Sequence, residues 1–399
     1  MINRTRSIAI ALSGIAYLVS CSGSRDSAAT SRPTLECTED SVGTDLRSVL
    51  GAMVARNPVP AVGVAVFVPS QWKAPVTAEL GMTEIGGGHP LTPDDRFLAG
   101  SVGKTFFAAL ALRRAAAGHL PLDSSLATLL PRVRIPALAW ITPRMLLTHT
   151  SGVGEYDREF MTVLVQQPLR ERQPDDWLDV LRRSPPAVSD TGVFRYSDLN
   201  YVLLAMVLDA GVTNGAYESI ASEYLRPLGL SGTVASTSPR VDGLVGGYES
   251  AGSMFGRDAM LHEGALIYNP QFEWGGGGFA STPRDLARWM AAFRLGEAFP
   301  SSEWPAVIAK PAGVPDSAMH WRGMGIHVDS GALGVTLGHS GYMPGYVSWM
   351  RWYEPLGVSI SMQSNATDTL RLRDDGFDWL DSIAVRVAAR CPRAEAVAR

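Results

Sequence analysis

The sequence predicts an α+β fold, in which an antiparallel sheet is flanked by the terminal helices and carries an inserted, mainly helical domain. Three observations support this prediction. A helix and two strands open the folded part of the chain, helical periodicity dominates residues 121–254, and strands at hairpin spacing followed by a helix close it. We expect an α/β domain from residues 41–95 and 283–392, a helical domain from residues 96–282, and the functional site at their junction.

The first 20 residues are predicted to be a signal peptide. Arg4 and Arg6 precede an apolar run over residues 8–19, which is short for a membrane span and typical of an export signal. Residues 18–21, Leu-Val-Ser-Cys, are similar to a bacterial lipobox, in which Cys21 becomes the lipidated first residue. An ordinary secretory signal cleaved nearby is the alternative. With the lipobox, residues 21–40 form a tether, and we expect an exported protein anchored by its lipid to the membrane of the bacterial cell envelope.

Composition sets further limits on function. The chain has 399 residues, of which 46% are hydrophobic, enough for a large buried core. Its formal charge of −4 lacks the excess of positive charge that is typical of nucleic-acid-binding proteins. Of the three cysteines, Cys37 and Cys391 are left over once Cys21 carries a lipid. An even pair in an oxidising compartment favours a disulfide, although their spacing alone does not bring them together.

The first elements are a helix and a pair of strands. Residues 44–57 carry apolar side chains at helical spacing, and Pro58 ends the helix. Residues 61–68 form a β-branched apolar run, and residues 76–81 are its predicted partner strand.

Residues 97–105, Phe-Leu-Ala-Gly-Ser-Val-Gly-Lys-Thr, precede an apolar helix that should end at Gly118. Ser101 and Lys104 are three residues apart and share one helix face. A helix N-terminus favours anions and disfavours a protonated amine, so we expect an activated serine and a lysine that loses its proton readily. The simpler alternative is a serine cap beside a solvated lysine. The sequence does not match the motif of a phosphate-binding loop, because Leu98 stands at its first glycine. It does not match the G-x-S-x-G nucleophile elbow either, because Ala99 stands at the first glycine of that motif.

The middle of the chain is predicted to be helices joined by loops. Thr142 is predicted to be the N-cap of a short helix. His149 ends this helix; it could act as a ligand or a base, but a histidine at such a position more often has a structural role. Further helices are expected over residues 199–210 and 220–225. The glycines at 275–278 precede another helix start, where Ser281 or Thr282 and Asp285 form the cap.

The last third returns to strands and ends in an amphipathic helix. Strands are predicted over residues 322–328, 333–338, 346–353 and 357–364, and the closing helix over residues 377–387. The triplet His339-Ser340-Gly341 directly follows the second of these strands.

Three elements in order carry a family resemblance: Ser101 with Lys104, Tyr196 two residues before Asp198, and the triplet 339–341. Together they resemble the serine β-lactamase and penicillin-binding protein superfamily, in its class C β-lactamase, D,D-peptidase and esterase branch. The resemblance covers roughly residues 40–392 and implies a β-lactamase-like fold. It also implies that the terminal helices lie side by side, which would bring Cys37 to Cys391.

The resemblance also implies roles for the site residues. Ser101 attacks a carbonyl and becomes an acyl-enzyme, while Tyr196, Lys104 or both move its proton. Lys104 should favour the phenolate of Tyr196. The backbone N–H groups of Ser101 and Tyr342 would form the oxyanion hole, with His339 as a further catalytic residue. Three more residues would line the site: Asp198, Ser340 and Gly341.

Two departures from the family pattern bear on the substrate. Asp198 stands where many relatives have Asn, and His339 replaces a lysine, so we expect His339 to titrate between about pH 5 and 8. Both changes fit an esterase, peptidase or general acyl hydrolase better than an efficient β-lactamase. The expected substrate is a small-molecule ester or a D-alanyl peptide of peptidoglycan. The alternative is a non-catalytic, penicillin-binding-like sensor or binding module on the same fold.

The sequence gives no reason to expect a cofactor. Its histidines show no metal-binding spacing and its cysteines lie far apart, so no metal is predicted. We expect a monomer with no nucleic-acid partner.

Overall fold

The centre of the fold is an eight-stranded antiparallel sheet contributed by both ends of the chain. The computed structural model describes residues 36–211, 214–249, 253–311, 314–367 and 370–391. The strands in chain order are β1 (Ala61–Phe67), β2 (Val76–Glu84), β3 (Gly87–Pro90), β4 (Phe97–Leu98), β5 (Val234–Ala235), β6 (Leu261–His262), β7 (Ala265–Leu266), β8 (Phe279–Ser281), β9 (His320–Arg322), β10 (His327–Gly331), β11 (Gly334–Met343), β12 (Tyr346–Tyr353) and β13 (Val358–Ser364). The sheet order is β3-β2-β1-β13-β12-β11-β10-β9.

Helices cover both faces of this sheet. They are α1 (Glu39–Arg56), α2 (Lys104–Ala116), α3 (Leu126–Leu129), α4 (Pro143–Leu147), α5 (Arg158–Gln166), α6 (Pro174–Arg183), α7 (Asp198–Ala210), α8 (Gly215–Ile220), α9 (Pro283–Arg294), α10 (Trp304–Val307) and α11 (Leu370–Arg390). The terminal helices α1 and α11 share one buried apolar cluster with β1, β12 and β13. On the opposite face, α9 packs against β1, β12 and β13, and the inserted helices build the larger core around α2 and α7. The predicted α+β class is therefore confirmed.

A disulfide between Cys37 and Cys391 joins the chain before α1 to the chain after α11. Their Cα atoms are 4.8 Å apart, and 354 residues separate them in sequence. The pairing agrees with the one that the resemblance implied. It ties the two terminal helices together on one face of the sheet.

Two predicted strands near the site differ from the observed ones. The single strand over residues 322–328 is wrong: β9 ends at Arg322, and β10 begins at His327. Gly325 turns the chain between them with a φ of +73°, in the left-handed region that favours glycine. The next strand does not end at Gly338, because β11 continues to Met343 and contains the triplet 339–341. Since β10 pairs with β11 only up to Gly338, the site residues occupy the portion of β11 beyond that pairing.

The signal peptide, Cys21 and the first part of the tether lie outside the described residues. Within the described ranges, no single helix is long and apolar enough to cross a membrane. The two helical segments Asp198–Ala210 and Gly215–Leu225 meet the length and composition criteria only together, with a bend of 79° between them.

Candidate active site

Ser101 lies in a 3₁₀ turn, Gly100–Gly103, that leads directly into α2. The helix predicted to begin at Ser101 therefore begins as a tighter turn, and Lys104 is the first α-helical residue. Lys104 is fully buried, and its Nζ donates to Ser101 Oγ at 2.8 Å. The two residues of the predicted motif are thus in direct contact.

Lys104 has two further partners. Its Nζ lies 2.5 Å from Asp198 Oδ1, and it also donates to the carbonyl oxygen of Gly276. Burial by itself lowers the pKa of Lys104, but the negative charge of Asp198, with smaller effects of Tyr196 and Glu273, outweighs burial and raises the pKa above its ordinary value. The expectation of a readily deprotonated lysine is therefore wrong, because the carboxylate at Asp198 stabilises the ammonium.

Tyr196 lies beside this pair, and its ring centroid is 5.0 Å from Lys104 Nζ. Ser197, the N-cap of α7, follows it, and Ser197 Oγ accepts from Leu199 N–H at 3.2 Å. Burial raises the pKa of the Tyr196 hydroxyl to about 12, with Lys104 opposing the shift and Asp198 adding to it. The expectation that Lys104 would keep Tyr196 as a phenolate is therefore wrong, because Tyr196 is protonated in the resting site.

Two glycines bring the backbone of β11 against the turn that carries Ser101. A Cβ at Gly341 would collide with the carbonyl oxygen of Ala99 and lie 3.1 Å from Ser101 N. Gly100 has a φ of +53°, and a Cβ there would lie 2.6 Å from Tyr342 N. The close approach requires glycine at both positions, and it brings the backbone of Tyr342 close to the turn that carries Ser101, the two residues expected to form the oxyanion hole.

His339 lies on β11 at the wall of the same cavity. It is 3% exposed, and its Nδ1 is 2.6 Å from the carbonyl oxygen of Ser340, so the ring donates there. Burial, the charge of Lys104 and that of Arg322 lower the pKa of His339 to about 3, against a smaller opposing effect of the Ser340 carbonyl. The expected titration between pH 5 and 8 is therefore wrong, since the imidazole stays neutral across that range.

The cavity has a volume of about 360 Å³ and joins these groups to others that sequence reasoning missed. Arg322 is the only guanidinium in its described lining, and Phe194 and Trp349 form part of an apolar wall. The full described lining is Ser101, Phe194, Tyr196, Arg322, His327, His339, Ser340, Gly341, Tyr342, Val347 and Trp349. No sequence motif marks Arg322, because it lies in the cavity wall through the pairing of β9 with β10, in which it stands opposite His327.

Two glutamates add further carboxyl groups to the surroundings of Lys104, and neither was predicted. Glu155 accepts from Asp198 N–H, at 3.2 Å to Oε1 and 3.3 Å to Oε2. Burial of its carboxyl group, together with repulsion from Asp198, raises the pKa of Glu155 to about 7. Glu273 is 7% exposed, and burial and Asp198 raise its pKa well above the ordinary range. One lysine is thus surrounded by three carboxyl groups.

Known proteins share this architecture. The family model described as Beta-lactamase matches residues 46–384. Penicillin-binding protein 4 of Amycolatopsis lactamdurans is 28% identical over 183 residues, so this chain spans only 45% of that relative's length, and the match covers 45% of this chain.

Solved structures agree with the fold. D-amino acid amidase from Ochrobactrum anthropi SV3 has a TM-score of 0.72 at 21% identity, over 86% of this chain and 99% of that chain. D-stereospecific amidohydrolase from a Streptomyces species has a TM-score of 0.67 at 22% identity, over 85% and 99%. A penicillin-binding protein homologue from Pyrococcus abyssi has a TM-score of 0.67 at 20% identity, over 85% and 77%. The family match over most of the chain, on this fold, shows that the protein belongs to the β-lactamase family.

Proposed function

We propose that this protein is a serine hydrolase that forms an acyl-enzyme on Ser101 from an amide or ester. The contact of 2.8 Å between Lys104 Nζ and Ser101 Oγ, beside the closely approaching backbone of β11, is the observation that carries the proposal. Ser101 Oγ bonds to the substrate carbonyl carbon, the bond to the leaving group breaks, and the Ser101 proton ends on the leaving group. Water then hydrolyses the acyl-enzyme and releases the acid.

Tyr196 is the proposed proton carrier. With Lys104 charged and Tyr196 neutral at rest, the base is the minor phenolate form, which the neighbouring ammonium stabilises. The phenolate takes the Ser101 proton and returns it to the leaving group. Because this form becomes more abundant as the pH rises toward about 12, the rate of acylation should rise through the alkaline range.

Arg322 supports a substrate that carries a carboxylate. Arg322 lines the cavity together with the apolar side chains of Phe194 and Trp349. A guanidinium recognises a carboxylate through paired hydrogen bonds, a role that the neutral His339 cannot perform. We therefore propose a D-alanyl peptide with a free C-terminal carboxylate, or an ester that carries a carboxylate, as the substrate class. The penicillin-binding protein homologue among the similar structures fits that class.

An activity panel tests this proposal. The mature protein is assayed with a nitrophenyl ester, nitrocefin, D-phenylalanine amide and a D-alanyl-D-alanine peptide, alongside Ser101→Ala and the control Ser222→Ala on an exposed helical turn. We expect turnover of at least one amide or ester in the wild type and in the control, and none in Ser101→Ala. Equal turnover in Ser101→Ala would overturn the proposal.

The sensor alternative has one specific observation in its favour. Both proton-transfer groups rest in their protonated forms, which slows activation of the water needed for deacylation. A sensor would give a stable adduct on Ser101 without product release. Measuring product released per adduct formed separates the two functions.

We also propose export and lipid anchoring through Cys21, on the strength of the N-terminal sequence. Radiolabelled palmitate should enter the wild type but not Cys21→Ser. Equal incorporation in both proteins would contradict the anchor.

A further inference from the structure

His149 holds the chain on both sides of Tyr196. Its carbonyl oxygen accepts from Arg195 N–H at 2.8 Å, and its ring Nδ1 accepts from Ser197 N–H at 3.2 Å. Between these two bonds, the imidazole stacks on the Tyr196 ring, with centroids 4.4 Å apart and planes 23° from parallel. One residue therefore contacts Tyr196 and both of its neighbours in the chain.

This contact depends on a backbone conformation that few residues adopt. His149 has a φ of +55° and is 4% exposed, so an L-residue is held buried in the left-handed region. Such strain persists only where the surroundings impose it, and it is concentrated at functional sites. Here the strained backbone turns the His149 ring onto Tyr196.

Hydrogen bonds select one tautomer of the His149 imidazole. Nδ1 accepts from Ser197 N–H and lies 3.3 Å from Asn200 Nδ2, which is also a donor. Asn200 is oriented in turn because its Oδ1 accepts from Ser151 Oγ. Nδ1 is thus unprotonated and the proton sits on Nε2. Burial, with the positive charges of Lys104 and Arg322, keeps the pKa of His149 well below its ordinary value, so the ring stays neutral.

We propose that His149 is a positioning residue for Tyr196, which it fixes through the stacked ring and the two flanking hydrogen bonds. The inference rests on the proposed function, in which the Tyr196 oxygen must stand within reach of Ser101. His149 itself is absent from the described cavity lining, so it acts through Tyr196 rather than on the substrate. Misplacement of a reacting group by about 1 Å can cost about a hundredfold in rate.

Two variants separate the contributions of His149. His149→Asn tolerates the left-handed backbone and supplies an oxygen acceptor near the Nδ1 position, but has no ring to stack. His149→Phe keeps a ring but has no acceptor. Glu263→Asn is the matched control, because Glu263 also has a positive φ, +50°, on an exposed turn. Thermal unfolding of each variant checks that the fold is retained.

Each variant is made in the wild type and in the Tyr196→Phe background, and kcat and KM are measured with a neutral nitrophenyl ester. In the wild-type background we expect kcat to fall about tenfold to a hundredfold, with KM changing less than twofold. In the Tyr196→Phe background neither substitution should lower kcat further, because the group being positioned has already been removed.

The outcomes separate failure of the positioning role of His149 from failure of the proposed hydrolase function. Unchanged kcat in a folded His149→Asn or His149→Phe protein overturns the positioning role, as does an equal loss in both backgrounds. The role is also overturned if Glu263→Asn causes the same loss. Absence of any Ser101-dependent turnover in the wild type overturns the proposed function, and the positioning role with it.

Discussion

Lys104 Nζ and Asp198 Oδ1 are 2.5 Å apart, and the same ammonium lies 2.8 Å from Ser101 Oγ, the proposed nucleophile. This ion pair affects the protonation of both Lys104 and Tyr196. The carboxylate keeps Lys104 charged, and its negative charge adds to the burial that raises the pKa of Tyr196. Replacement of Asp198 should therefore change the pH at which acylation becomes fast.

Asp198→Asn should move the alkaline rise in activity to lower pH. The amide removes a negative charge, so the pKa values of Tyr196 and Lys104 both fall. We expect the rise in kcat/KM for a neutral ester, measured from pH 7 to 11, to begin earlier in the variant. Asp45→Asn, which removes a carboxylate paired with Arg390 at the terminal helices, is the control. Coincident profiles for wild type and Asp198→Asn would refute this electrostatic account.

The sequence could predict those contacts of the site that are made between residues close together in the chain. Ser101 and Lys104 are one helical turn apart, so their contact follows from the sequence. Glu155 and Glu273 come from segments about 50 and 170 residues away, and only the fold brings their charges to Lys104. The partial positive charge of the helix N-terminus predicted a lowered pKa for Lys104. The pKa is raised instead, because the full charge of the contacting Asp198 carboxylate outweighs that partial charge.

His339→Gln should leave the activity profile between pH 5 and 8 parallel to that of the wild type. With a pKa of about 3, His339 is already neutral in this range, so a neutral hydrogen-bonding replacement removes no charge. The measurement is kcat/KM against pH for one neutral and one carboxylate-bearing ester. A wild-type step between pH 5 and 8 that disappears in His339→Gln would contradict the buried, neutral imidazole.

The strand pattern explains why Arg322 escaped prediction. Its neighbours alternate as a strand should, and the chain was expected to continue straight through residues 322–328. Gly325 instead turns the chain between β9 and β10. Single glycines interrupt many strand-like runs, so sequence alone did not indicate this break or the pairing of Arg322 with His327 that follows from it.

Glu155→Gln should stabilise the protein at pH 8 more than at pH 5. Folding raises the pKa of Glu155 from 4.5 to about 7, so between these values the folded state binds a proton that the unfolded state has released. The contribution of Glu155 to the free energy of unfolding therefore falls as the pH rises through this window. Urea unfolding at both pH values measures the difference. The exposed carboxylate Glu171, changed to Gln, is the control, and an equal effect of Glu155→Gln at pH 5 and pH 8 would contradict the shift.

Loss of the disulfide should lower the free energy of unfolding substantially. The bond between Cys37 and Cys391 closes a loop of more than 350 residues, for which chain-entropy arguments give about 5 kcal/mol as an upper value. We expect Cys37→Ser to unfold at clearly lower urea concentration than the wild type, and reduction of the wild type to have the same effect. Two reactive thiols in the unfolded, unreduced mature protein would contradict the bond.

Acyl-enzyme chemistry on Ser101 is tested most directly by peptide mapping with mass spectrometry after reaction with a fluorophosphonate and, separately, with penicillin. We expect one covalent adduct per chain, located on Ser101, in the wild type and no adduct in Ser101→Ala. Failure of both reagents to modify Ser101 in the folded wild-type protein would contradict the proposed nucleophile, as would an adduct of equal yield in Ser101→Ala.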